Sequence, residues 1–219
     1  LGSVSTLAHE LGHAMHGVLM DGAQPLPYTE ISMVAAETAS NFNQALVRRH
    51  LLSRFREPDQ RLDVLNEAFD NFHRYLFIMP TLVRFELAVH DAVARGEGLT
   101  AESLVSLMRD LFQEGYGEHI TADDRVGITW AEFGHLYVPF YTFQYAAGIS
   151  AAAALAEDVY EGEPGAADRV LGFLRAGSSL PPVEALRQAG VDLTTPEPIE
   201  RAFGVLEGHV AELERLAGT

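Results

Sequence analysis

Ser5-Thr-Leu-Ala-His-Glu-Leu-Gly-His-Ala-Met-His-Gly-Val-Leu-Met20 stands near the start of the sequence. Its apolar residues Leu7, Leu11, Ala14, Val18 and Leu19 recur every three or four positions, the period of an amphipathic helix. The flanks Leu7, Ala8, Leu11 and Ala14 predict that this helix is buried. The same period continues downstream. Helices are expected over residues 29–56, ended by Pro58, and over 59–79, kinked at Pro80 and continuing to 95. Thr100 is a natural N-cap for a helix ending at Gly115, and further helices are expected at 140–160, 166–176, 181–189 and 196–217. Residues 116–130 are Gly- and Asp-rich, the place for loop or a small extended element near the site. Strand alternation is scarce, so the fold class is all-α, with residues 1–219 as a single domain.

The 219 residues are 47% hydrophobic and 21% charged, an ordinary globular composition with enough material for one substantial core. All 15 basic residues are arginine against 31 acidic ones, a formal charge of −16. Such a surface repels phosphate backbones and argues against a nucleic-acid partner. No apolar run reaches a membrane span of about 20 residues, so no membrane partner is expected. Cysteine is absent. Any metal must therefore sit on histidine and carboxylate, and a cytoplasmic location fits.

His9-Glu10-Leu11-Gly12-His13 carries the chemistry. Residues i and i+4 of a helix share a face, so both imidazoles reach one ion. Glu10 projects beside the pair, placed to take a proton from a metal-activated water. Two imidazoles and one carboxylate suit a single zinc with a fourth position open. The pattern alone arises by chance in about 3 of 100 chains of this composition, against the plainer reading of two ordinary histidines on an amphipathic helix. Two downstream carboxylates compete as third ligand. Glu30, near a helix start, has an alternative explanation in capping. Glu37 lies among Val34, Ala35, Ala36 and Ala39, where a carboxylate needs a partner, so Glu37 is preferred.

The run His9-Glu-Leu-Gly-His-Ala-Met-His16, followed 28 residues after His9 by Glu37-Thr-Ala-Ser, resembles the oligoendopeptidase F and thimet oligopeptidase family of zinc peptidases. His135-Leu-Tyr-Val-Pro-Phe-Tyr-Thr-Phe-Gln-Tyr-Ala-Ala-Gly148, preceded by Trp130, is similar to the segment that places a histidine and tyrosines over the substrate in oligoendopeptidases F. The resemblance implies a mostly helical zincin-like catalytic fold and zinc-dependent hydrolysis of short unstructured peptides inside a channel. It implies His9, His13 and Glu37 as zinc ligands and Glu10 as general base. His135, Tyr141 and Tyr145 match positions that bind substrate or stabilise the oxyanion. Family members carry a long segment before this motif that forms the opposite channel wall, so the chain is expected to be the C-terminal part of a longer peptidase. Apolar surface on the first helix and on residues 137–145 is then expected to be exposed, for that missing domain or for self-association. The rival reading is a non-catalytic helical module that keeps the zinc as an assembly half.

The second block also has a reading of its own. Phe140 and Phe143 are expected in an aromatic core, while His135, ahead of Pro139, is expected in a turn facing a cleft. Tyr141 and Tyr145, four apart, would share a helix face and offer hydroxyls to an oxyanion. Asn41, one turn beyond Glu37, is a candidate to orient a ligand histidine. His16, His50, His73, His90, His119 and His209 carry weaker signals.

Overall fold

The computed structural model describes residues 2–218. Among them every regular element is helical: α1 (Gly2–Asp21), α2 (Met33–Arg54), α3 (Pro58–Phe72), α4 (Met79–Ala94), α5 (Ala101–Tyr116), α6 (Asp124–Gly127), α7 (Thr129–Glu132), α8 (Phe143–Tyr160), α9 (Ala166–Ala176), α10 (Pro182–Ala189) and α11 (Glu197–Ala217). None of these helices is long and apolar enough to cross a membrane.

Local chemistry sets the boundaries. A 3₁₀ turn, Leu26–Tyr28, occupies the Pro-rich connection, and α2 starts at Met33, where the Ser32 hydroxyl accepts from the Ala35 amide at 3.4 Å. Pro80 has no amide proton, and its ring would strike the carbonyl of Leu76 in a regular helix. The chain absorbs this by widening into a π turn, His73–Ile78, before continuing as α4. Thr100 caps α5 in a reciprocal box with Ser103. Residues 116–130 hold no strand; they form the 3₁₀ turn Gly117–His119 and the short helices α6 and α7. Asp123 caps α6 by accepting from the Arg125 amide at 2.9 Å. A Cβ on Gly127 would lie 2.6 Å from the Val105 carbonyl oxygen, so only glycine lets this turn lie against α5.

The chain divides into two compact units. The first holds residues up to Phe72 and from Ala147 onward. Within it α2 packs against α1, α3 and α10, α9 lies against α1 and α10, and α11 covers α3. Ala39, Ala154, Leu155, Phe173, Leu186 and Val191 are part of its core. The second unit, His73–Ala146, packs α4 against α5 and α5 against α6 and α7. Met79, Leu82 and Met108 are fully buried.

The buried stripe of α1 is Ala8, Gly12, His16 and Met20, and not the larger apolar residues that the helical period singled out. Leu7, Leu11 and Ala14 are exposed, and Val18 is 73% exposed. A Cβ on Gly12 would lie 2.5 Å from the Ser40 Cα and 2.8 Å from the Ala39 carbonyl oxygen. The two backbones approach closely at Gly12, where the face carries no bulk, while the larger His16 of the same stripe lies against Phe173. Asn43 fastens the contact by donating from Nδ2 to the Ala8 carbonyl at 2.6 Å.

Candidate metal centre

Helix α1 carries His9 and His13 one turn apart, and the close α1–α2 contact brings Glu37 of α2 to them. Each of the three offers a ligand atom, and those atoms all lie within 4.8 Å of one another. His9 Nε2 and Glu37 Oε2 are 3.8 Å apart. Ligand atoms on a tetrahedral zinc with bonds of about 2.1 Å are about 3.4 Å apart, so modest side-chain rotation closes the site on an ion. The His9 and His13 rings meet edge to face with centroids at 4.9 Å.

The electrostatics suit a cation. Glu37 is only 4% exposed, and burial pushes its pKa up; His9 and the Asn41 hydrogen bond pull it down, but the net shift is upward. A positive ion would relieve a carboxylate so placed. Burial also lowers the His13 pKa, helped by His9 and opposed by Glu10, which favours the neutral imidazole that a metal needs. The donor set of two imidazoles and a carboxylate therefore fits zinc. Glu10 is exposed beside this group, and its charge is felt by both His13 and Glu37.

Glu30, the competing carboxylate, is exposed in the connection before α2 and is not in the cluster. Asn41 does not orient a histidine. Its Nδ2 donates to Glu37, to the backbone oxygen at 2.8 Å and to Oε2 at 3.3 Å. On α8, a Cβ at Gly148 would sit 2.8 Å from the Glu37 Cβ, so glycine there makes room for the carboxylate-bearing turn. Gln44 was not singled out by sequence, yet its Oε1 lies 3.1 Å from His9 Nδ1. Its position seven residues beyond Glu37, on the same helix face, is the signal that would have found it.

The second unit gathers the other sequence-derived candidates. His135 sits in a 3₁₀ turn, Gly134–Tyr137, as its place ahead of Pro139 suggests. Its Nε2 is 3.1 Å from the Tyr145 hydroxyl, which donates to the Tyr141 hydroxyl at 3.3 Å. Burial, with a smaller push from Arg74, lowers the His135 pKa. Tyr75 stacks on Tyr145 at 5.4 Å. Tyr141 precedes α8 instead of sharing its face with Tyr145, because Phe140 has φ 54° and the helix opens only at Phe143. That left-handed residue is held by Glu86, which accepts from the Phe140 amide at 2.6 Å, and by His90, stacked on its ring at 5.1 Å. Phe140 and Phe143 are not core residues; they are 48% and 46% exposed. Tyr137 and Val138 are exposed as well. His16 and His209 are buried packing residues, and His50, His73, His90 and His119 lie exposed.

Residues 1–205 match peptidase family M3. The chain is 40% identical over 212 residues to oligopeptidase PepF of Bacillus subtilis, covering 96% of this chain and 32% of that protein. It is 35% identical over 216 residues to the plasmid oligoendopeptidase F of Lactococcus lactis subsp. cremoris, covering 99% of this chain and 36% of that one. It thus spans about a third of the length of these curated relatives. The crystal structure of oligoendopeptidase-F from Enterococcus faecium superimposes with a TM-score of 0.88 at 33% identity, over 100% of this chain and 40% of that one. With the match over residues 1–205 and these identities, the chain belongs to peptidase family M3.

Proposed function

We propose that this chain carries the catalytic residues of a zinc endopeptidase that hydrolyses short unstructured peptides. The observation behind this reading is the convergence of His9, His13 and Glu37 on one point with Glu10 beside them. Zinc, held there by His9, His13 and Glu37, supplies Lewis acidity to a water and to the scissile carbonyl. Glu10 takes the proton of the attacking water and passes it to the leaving nitrogen, which breaks the C–N bond. Its exposure and its position beside the ligand histidines suit a base that both water and substrate reach. Roles for His135, Tyr141 and Tyr145 toward the substrate carbonyl rest on the resemblance of residues 135–148. Their linked hydroxyls and imidazole are donors of the kind that stabilise an oxyanion.

The relatives extend over about three times the span of this chain. We propose that the rest of that fold forms the opposite channel wall and covers Leu7, Leu11 and Val18, with the cytoplasm as the working compartment. A peptidase channel selects extended peptides by excluding folded ones. The chain alone is then weak on short peptides, and adding the remaining part raises its activity.

Glu10→Gln tests the mechanism, because it keeps the shape and removes the basicity. Zinc content should persist while peptide hydrolysis falls at least about 10²-fold. Undiminished hydrolysis overturns the role of Glu10, and loss of zinc in step with activity makes Glu10 a ligand.

A further inference from the structure

The imidazole of His9 can present Nε2 to a metal only if its proton is on Nδ1, and the surroundings of Gln44 decide that. Gln44 is buried on α2. Its Nε2 donates to the Ser5 hydroxyl at 2.7 Å and to Glu67 Oε1 at 2.8 Å. Ser5 donates to the same carboxylate oxygen at 2.5 Å, while Arg48 binds Glu67 through Nε at 3.1 Å and Nη2 at 3.3 Å. Burial pushes Glu67 up, but Arg48 and the hydrogen bonds from Arg48, Ser5 and Gln44 outweigh it and hold its pKa below the usual carboxylate range. An ionised carboxylate only accepts, so Gln44 must turn its NH₂ toward Glu67 and its carbonyl toward His9. The carbonyl in turn only accepts, so His9 must donate from Nδ1, which leaves the Nε2 lone pair facing Glu37.

We propose that Gln44, clamped by Ser5 and the Glu67–Arg48 pair, is a positioning residue that fixes the tautomer and ring direction of His9 for zinc. This rests on the metal reading proposed above. A partner on the distal nitrogen of a ligand histidine is commonly worth about 10- to 100-fold in metal affinity. The glutamine amide supplies it here without a second negative charge beside Glu37.

The test measures zinc affinity by chelator competition, thermal unfolding with the metal removed, and the His9 tautomer of the metal-free chain by nitrogen NMR at pH 8. Gln44→Leu should bind zinc about 10- to 100-fold more weakly while its metal-free form still unfolds cooperatively. Gln44→Glu keeps a side-chain oxygen that accepts from His9 Nδ1, so it should recover most of the affinity. Wild-type His9 should carry its proton on Nδ1. Unchanged affinity in a folded Gln44→Leu chain overturns the proposal, as does a wild-type proton on Nε2. If Gln44→Leu does not fold, the wild-type tautomer and the Gln44→Glu affinity decide. Zinc binding that is absent in the wild type, or that survives His9→Ala, instead overturns the metal reading itself.

Discussion

Glu37 shows what a buried carboxylate costs the fold that holds it. The carboxylate sits among small apolar side chains with Asn41 as hydrogen-bond donor, and its pKa is raised chiefly by burial. A folded-state pKa above the unfolded value means that ionisation opposes folding. The opposition is complete above the folded pKa and vanishes below the ordinary carboxylate value. Without metal at neutral pH, Glu37→Gln should therefore unfold at a higher temperature than wild type. Zinc at 100 times its dissociation constant should add about 2.7 kcal/mol to the wild type and almost nothing to the variant. Paired melting curves in chelator and in zinc check both halves, and a variant less stable than wild type in chelator would refute the argument.

At the scale of the element, α1 and α2 meet through glycine and alanine, so their separation is set by backbone contact and not by interdigitating side chains. Gly12 is the tightest point. Gly12→Ala should force the helices apart at a cost of about 1–3 kcal/mol, the range for overpacking a close contact. Because His9, His13 and Glu37 straddle that contact, zinc affinity should fall with stability, as denaturant titration and metal competition will read. Gly148→Ala presses on the Glu37 Cβ and should lower affinity in the same way. At Gly17, where a Cβ would meet nothing within 4 Å, alanine should leave affinity unchanged. In the second unit, strain at Phe140 is held by a buried acceptor. Glu86→Ala leaves the Phe140 amide unpaired and should destabilise by about 1–3 kcal/mol.

For the molecule as a whole, acid is the expected weak point. Burial, reinforced by Arg48 and Arg49, depresses the His209 pKa to about 4 from an ordinary 6.5. Between those values the unfolded chain binds a proton that the folded chain refuses, so stability falls as pH drops from 6.5 toward 4 and then levels off. The full separation is worth up to about 3 kcal/mol. His16, also depressed to about 4 by burial and by His13, adds to the same window. His209→Leu should flatten the dependence of melting temperature on pH between 4 and 6.5. A variant that parallels the wild-type curve throughout that range would remove His209 from the explanation.

Helices were legible in the sequence because their signals are local. Thr100 caps, Pro58 and Pro80 interrupt, and the bounds expected for 166–176 coincide with Ala166–Ala176. The cluster of His9, His13 and Glu37 was legible for the same reason: an i, i+4 histidine pair is one helix face, and a carboxylate amid alanines needs a partner. What failed depends on neighbours. Leu7 and Leu11 have the right period for burial, but the approach of α2 selects the face carrying Gly12. Phe140 and Phe143 are apolar yet exposed, since a left-handed residue held by Glu86 delays the start of α8. Gln44 is an unremarkable glutamine until tertiary packing puts Glu67 on one side of it and His9 on the other. The sequence determined the long helices and which residues carry metal-binding groups, because backbone hydrogen bonding and side-chain chemistry are properties of the residues themselves, but it missed the short helices within 116–130. Which face goes inward, and which way an amide or an imidazole points, only the tertiary structure decided, because both depend on what the opposite helix presents.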